Sequence, residues 1–243
     1  MDFIRVLPQL YMFRFSVGQA YLWRDGDDLT LVAPVTVTPR RSCRTRCGAP
    51  VWIRRIVLTH CHRDHVGAAG ELAARHGAQA LAHRLDAPVV RGEAPVPQPV
   101  LLDWEIPLYE HGLTVPPAPP TRVDRELEDG DLLNFGDGAR VVHSPGHTDG
   151  SIAVHLPHHG VLFTGDLVAG AGRVTPGVFD VDRAALLVSM RRLASLAPTT
   201  VCFGHGDPVT GDVARLLPEA AGEETATGEA TSAAAPAGGD TGR

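Results

Sequence analysis

The residues Thr59-His60-Cys61-His62-Arg63-Asp64-His65 follow directly on the apolar run Ile56-Val57-Leu58, and no other stretch restricts the fold as tightly. A strand that delivers three imidazoles and a carboxylate into one short loop crowds polar groups that a cation would hold together. Neutral imidazole nitrogen and carboxylate oxygen are donors that zinc prefers. On an extended, kinked loop His60 and His62 face one side, while Asp64 and His65 turn toward a second position. That division suits two ions roughly 3.5–4 Å apart. A polar surface loop rich in histidine is the plain alternative, and it leaves the spacing without a reason.

Such a loop needs partners from elsewhere in the chain, and three isolated residues share a context that qualifies them. His147 lies in Ser144-Pro145-Gly146-His147-Thr148-Asp149, just after the strand-like Arg140-Val141-Val142-His143. Asp166 closes the apolar run Leu162-Phe163-Thr164-Gly165, and His205 follows Val201-Cys202-Phe203-Gly204. Each stands at the end of a strand, beside glycine and turn chemistry. His76, His83, His111, His155, His158 and His159 lack that context and read as ordinary surface or core histidines.

The pattern His-x-His-x-Asp-His, then Gly146-His147, Gly165-Asp166 and Gly204-His205 in that order, resembles the metallo-β-lactamase-fold hydrolase superfamily from about Leu7 to Leu217. The resemblance implies an α/β fold, a four-layer αββα sandwich with the metals at one rim. It implies that His60, His62 and His147 hold a first ion, that Asp64, His65 and His205 hold a second, and that Asp166 bridges them. The cofactor implied is zinc, two ions per chain, with iron or manganese as alternatives. His62 is not replaced by the Glu of the di-iron flavoproteins. Asp166 stands where true β-lactamases carry Cys or Ser. The ligand set is therefore most similar to the glyoxalase II and lactonase branch, although the helical C-terminal domain by which glyoxalase II grips glutathione is not expected after His205. The function expected is hydrolysis of a carbonyl ester, thioester or lactone by a hydroxide activated between two metals. Asp64 is the expected catalytic carboxylate, orienting the water and returning a proton. Thr148, Asp149 and Ser151 are placed either to support His147 or simply to form the turn. A mononuclear-iron sulfur dioxygenase of the same fold shares these residues and is the alternative activity.

Composition narrows the rest. With 243 residues and 44% hydrophobic content the chain can bury one sizeable core. The formal net charge of −6 and the absence of lysine argue against nucleic-acid binding, a P-loop or Schiff-base chemistry, leaving a small-molecule substrate. No signal peptide or membrane-length apolar run is present, so no membrane association is expected and the cytoplasm is the default location. Four cysteines give no disulfide framework. Cys61 is expected to point away from the metals, and Cys202 to sit in a core strand.

Residues 1–217 read as one domain of alternating strands and helices, and residues 218–243 as a low-complexity disordered tail. Strands are expected over Leu10–Trp23 and Leu29–Val32. A helix is expected from Ala68 to His76, capped by Gly77, and another from Asp182 through Leu196. The proline-dense stretch from Pro88 to Pro120 reads as a surface excursion whose Leu101, Leu102, Trp104, Leu108 and Tyr109 either form a substrate wall or anchor the loop. Residues 33–53 break the family resemblance. Family members read Val-Asp-Thr-Gly after the strand ending at Val32, then an amphipathic helix. Here Ala33-Pro34-Val35-Thr36 leads into an arginine cluster with Cys43 and Cys47. Restoring a single A inside the Ala33 codon, with suitable synonymous codons, converts the run to Asp-Thr-Gly-Asp-Gly-Asp-Ala. A frameshift, or a sequencing error, compensated before Arg54 is the reading, with a non-catalytic remnant as the functional alternative.

Overall fold

Apolar residues alternate along most strands with side chains large on both faces, so both faces of each sheet must be covered. The computed structural model describes residues 2–33, 52–211, 213 and 215–222. Seven strands form the first sheet in chain order: β1 (Asp2–Arg5), β2 (Leu10–Arg14), β3 (Gln19–Asp25), β4 (Asp28–Val32), β5 (Trp52–Val57), β6 (Gln79–His83) and β7 (Arg125–Leu127). Pairing is antiparallel from β1 to β4 and parallel from β4 to β7. The second sheet contains β8 (Leu132–Leu133), β9 (Ala139–His143), β10 (Ile152–Leu156) and β11 (Val161–Gly165). A small ribbon, β12 (Val168–Ala169) with β13 (Thr175–Pro176), intervenes before β14 (Thr200–Phe203) and β15 (Val209–Thr210). Spatially the second sheet runs β15-β14-β11-β10-β9-β8, with β11 and β14 parallel.

Period-two alternation decides which layer each side chain joins. Tyr21 and Trp23 of β3, Val57 of β5, Ile152 and Val154 of β10 and Cys202 of β14 meet between the sheets. Their neighbours Ala20, Leu22 and Ile56 face the opposite way, onto Leu72 and Ala73 of helix α2 (Ala69–His76). Ala153, Val201 and Phe203 face outward from the second sheet onto Leu186, Met190 and Leu193 of helix α5 (Arg183–Ala194). The result is the four-layer αββα sandwich, with two mixed sheets inside and helices outside. Both helix ends expected from the sequence are found. Gly77 takes the left-handed conformation at φ +64°, and the Asp182 carboxylate accepts from Ala185 N at 2.9 Å. Between Asp25 and Asp28 a two-residue turn carries Gly26 at φ +60°.

Two short helices lie near the ligand loop: α1 (Arg63–Val66) inside it and α3 (Ala87–Val90) after β6. The proline-dense excursion contains α4 (Ile106–Gly112), which buries none of its residues. It is tethered beside the ligand loop. Arg63 donates to the carbonyls of Leu113 and Val115, Val100 N donates to the Asp180 carbonyl, and Tyr109 meets Phe179 with ring centroids 5.4 Å apart. Residues 215–222 are helical, with Leu217, Ala220 and Ala221 buried beside α5, so ordered structure enters the stretch expected to be tail from Pro218. Residues 223–243 and residues 34–51, where the rest of the tail and the frameshift reading fall, lie outside the described residues. β5 begins at Trp52, two residues before the point where the family pattern was expected to resume. Among the described residues no helix is long and apolar enough to cross a membrane.

Candidate metal centre

Four loops at the C-terminal ends of β5, β9, β11 and β14 supply the seven candidate ligand side chains. Parallel pairing puts the ends of β4, β5 and β6 at one rim of the first sheet, and parallel β11 and β14 end together at the facing rim of the second. The glycines beside the ligands let these loops pass in contact. Gly146 takes φ +136°, and a Cβ there would collide with the backbone of Leu186.

All seven sequence-selected residues come together, in two groups. Ring nitrogens of His60, His62 and His147 lie within 4.8 Å of one another, as do the ligand atoms of Asp64, His65, Asp166 and His205. Within the first group His62 Nδ1 and His147 Nε2 are 2.8 Å apart, and the His60 ring stands edge-on to both. Nitrogens on neighbouring vertices of a tetrahedral zinc would sit about 3.3 Å apart, from Zn–N bonds of about 2.0–2.1 Å. In the second group His65 Nε2 lies 3.2 Å from both His205 Nε2 and Asp166 Oδ1, and 3.4 Å from Asp64 Oδ2. His205 Nε2 lies 3.3 Å from Asp64 Oδ2 and 3.2 Å from Asp166 Oδ2. Asp166 also joins the groups, since its Oδ2 is 3.8 Å from both His60 Nε2 and His147 Nε2.

Buried polar atoms left without partners test whether these residues suit an ion. His60 Nε2 and Asp166 Oδ1 are both buried and lack a hydrogen-bond partner, while both point into the cluster. Leaving such atoms unsatisfied costs about 1–3 kcal/mol each. A cation at the convergence point would satisfy them, and the donor set is the nitrogen and oxygen mixture a divalent ion takes. The residues present fit the group.

Protonation differs between the two halves. Burial, reinforced by the neighbouring imidazoles, holds His60 well below its usual range and His62 down to about 3. Both rings are therefore neutral. In the second half burial opposes the charge on His65, but Asp166 and Asp64 outweigh it and lift the imidazole to about 9. Asp166 raises His205 well above its usual value. Against the opposing effect of burial, His65 pulls Asp64 and Asp166 far below the usual carboxylate range. Two carboxylates thus hold protons on two histidines, which an arriving cation would displace.

The support of His147 comes from outside its own turn. Its Nδ1 faces Asp180 Oδ1 at 3.3 Å, and Asp180 is in turn bonded by Arg183 at 2.5 Å. A carboxylate on the remote nitrogen fixes ring orientation and basicity. Thr148 and Ser151 instead bond one another at 2.8 Å, and the Asp149 carbonyl lies 2.8 Å from His143 Nε2. Asp180 stands two residues before the Asp182 helix cap, with no motif to mark it in the sequence. Cys61 packs with Leu58 and Val66 in the outer core, turned from the histidine cluster, and burial pushes its thiol up.

A profile of the Metallo-beta-lactamase superfamily matches residues 15–205. The chain is 35% identical over 157 residues to the hydroxyacylglutathione hydrolase of Cereibacter sphaeroides (strain ATCC 17029 / ATH 2.4.9), covering 63% of this chain and 48% of that one. It is also 35% identical over 125 residues to the acyl-coenzyme A thioesterase MBLAC2 of Gallus gallus, covering 46% and 40%. The chain spans about half the length of the named relatives it matches. The crystal structure of TTHA1623 in a di-iron-bound form superposes with a TM-score of 0.62 at 30% identity, covering 90% of this chain and 98% of that one.

Proposed function

The chain belongs to the metallo-beta-lactamase superfamily, and from that premise we propose that it is a zinc-dependent hydrolase of carbonyl thioesters, with esters and lactones as related substrates. The observation that carries this reading is the sharing of Asp166 Oδ2 between the two ligand groups, 3.8 Å from His60 and His147 and 3.2 Å from His205. A relative named as an acyl-coenzyme A thioesterase supports the thioester over other acyl compounds.

His60, His62 and His147 would hold one zinc, Asp64, His65 and His205 a second, and Asp166 would bridge the pair. Ions bound there would supply Lewis acidity toward a carbonyl oxygen and lower the pKa of a water toward neutrality. Neutral His60 and His62 need shed no proton to act as ligands. Asp64 is the more open of the two carboxylates, with its side chain 20% exposed against 12% for Asp166. Its carboxylate accepts a hydrogen bond from the attacking water and orients it. The water oxygen bonds the carbonyl carbon, the carbon–sulfur bond breaks, and the water's proton passes by way of Asp64 to the leaving sulfur. Asp180 holds His147 in one tautomer while this proceeds. The acyl substituent lies against the excursion beside the ligand loop, where Trp104 is 55% and Leu108 52% exposed.

Metal quantification followed by a screen of acyl thioesters, lactones and aryl esters tests the proposal. Two zinc ions per chain with turnover of a thioester are expected. One iron per chain with oxygen uptake on a persulfide would overturn it in favour of a dioxygenase, and a purified chain that binds no metal would leave only a non-catalytic remnant.

A further inference from the structure

Asp86 stands between β6 and α3, 2% exposed, at a position where Asp followed by Ala-Pro would ordinarily cap the helix. Its side chain makes no cap bond to α3. It crosses instead to two other loops. Oδ2 accepts from Cys61 N at 2.8 Å and from Thr148 Oγ1 at 2.8 Å, while Oδ1 accepts from Gly150 N at 2.9 Å. The approach is close enough that a Cβ on Gly150 would lie 2.5 Å from the carboxylate carbon. Burial raises the Asp86 pKa and these donors work against that shift.

The donors are distributed unevenly with respect to the metal centre. Cys61 separates His60 from His62, and Thr148 follows His147. Every member of the three-histidine group is therefore a chain neighbour of a residue bonded to Asp86. No member of the Asp64–His65–Asp166–His205 group is. That half is held by other bonds, His65 N to the His62 carbonyl and Gly204 N to the Gly165 carbonyl among them. We propose that Asp86 is a positioning residue that ties the His60–His62 loop to the His147 loop and so sets the affinity of the three-histidine site alone. The inference rests on the two-ion reading of the centre.

The geometry also says which substitutions break the tie. All three partners are donors, and a carboxylate offers acceptors to all of them. An Asn side chain must turn an NH₂ toward at least one donor, so Asp86→Asn keeps the shape and loses the latch. Thr148→Val removes one donor and leaves Asp86 in place.

Each variant is made in two backgrounds of the full chain: His205→Ala, which spares the three-histidine group, and His147→Ala, which spares the other. Zinc dissociation constants are measured by chelator competition, with circular dichroism of the metal-free protein to report folding. Asp86→Asn should weaken zinc about 10–100-fold in the His205→Ala background and by less than about threefold in the His147→Ala background, the range usual for outer-shell partners. Thr148→Val should move in the same direction, by less, and in the same background only. Equal weakening in both backgrounds, or none in either, overturns the proposal. If Asp86→Asn does not fold, the Thr148→Val comparison decides by itself. An otherwise unaltered chain that takes up no zinc overturns the two-ion reading as well, whereas normal uptake with an indifferent Asp86→Asn overturns this inference alone.

Discussion

Gly204→Ala should destroy the second half of the metal centre by a single methyl group. Gly204 precedes His205, and the position of its missing Cβ falls inside contact distance of Asp166 Oδ1, 3.1 Å from Asp166 Cγ and 2.8 Å from His65 Cε1. Ordinary contacts need more than 3 Å, so the Asp166 carboxylate would have to retreat by more than about 1 Å, whereas metal–ligand distances tolerate about 0.2 Å. No backbone strain complicates the reading, since Gly204 is not among the glycines at positive φ. Overpacking of this kind costs about 1–3 kcal/mol, which for a domain of this size lowers Tm by roughly 2–12 °C. The larger effect is on metal content, because both the Asp166 carboxylate and the neighbouring His65 are displaced together. Elemental analysis should find at most one ion per chain, and thioester turnover should fall by more than about 100-fold, the usual weight of a positioned proton-transfer and metal-activation step. Gly77→Ala is the matched control. Its φ of +64° strains an alanine by about 1 kcal/mol, but open space surrounds it, so metal content should be unchanged. A Gly204→Ala chain that retains two ions and ordinary turnover would refute the argument that this backbone segment seals the Asp166 carboxylate in place.

Further expectations concern single groups. Asp64→Asn should lower kcat by about 10²–10⁴-fold with KM little changed; steady-state kinetics at saturating metal measures it, and full activity removes the proton-transfer role of that carboxylate. His65 has its pKa raised from 6.5 to about 9 by Asp166 and Asp64 against the effect of burial, so its stabilising charge is fully present below pH 6.5 and lost as pH rises through 9. Melting curves of the chelated chain should therefore drop between pH 6.5 and 9.5, and a flat or rising Tm over that window contradicts the pairing. Trp104→Ala should raise KM for long-chain acyl thioesters about tenfold, from about 1.5 kcal/mol of lost apolar contact, with acetyl thioesters unaffected; equal changes for both chain lengths would make the excursion a mere anchored loop.

How much of this is legible in the sequence follows from how far each signal travels along the chain. The seven residues of the cluster could be found because each is announced locally, by an apolar strand that ends in a loop of turn chemistry and a His or Asp. The apolar run Leu162-Phe163-Thr164-Gly165 that becomes part of β11 was likewise visible from its composition, and α5 from the cap at Asp182. β1 was not, because Asp2–Arg5 is an edge strand with Phe3 54% exposed and little alternation to mark it. Its place is set by pairing with β2 and by Phe3 stacking on Tyr11 at 5.2 Å, both properties of a partner strand.

Asp86 and Asp180 show the sharper limit. Both sit where local rules supply a sufficient explanation, Asp86 ahead of a Pro-containing helix start and Asp180 two residues before a true N-cap. Nothing in the neighbouring sequence distinguishes a carboxylate that caps its own helix from one that reaches across to a ligand loop. What decides is burial: at 2% exposure each must find donors, and the donors available are Cys61 N, Thr148 Oγ1 and Gly150 N for one, His147 Nδ1 and Arg183 for the other. Those donors exist only because the β5, β9 and α5 termini converge. The residues that bind an ion must be of particular types and so leave a mark in the sequence. The residues that hold the binders need only be acceptors in the right place, a requirement many residue types at many positions can meet, and so they become recognisable only after the chain has folded around them.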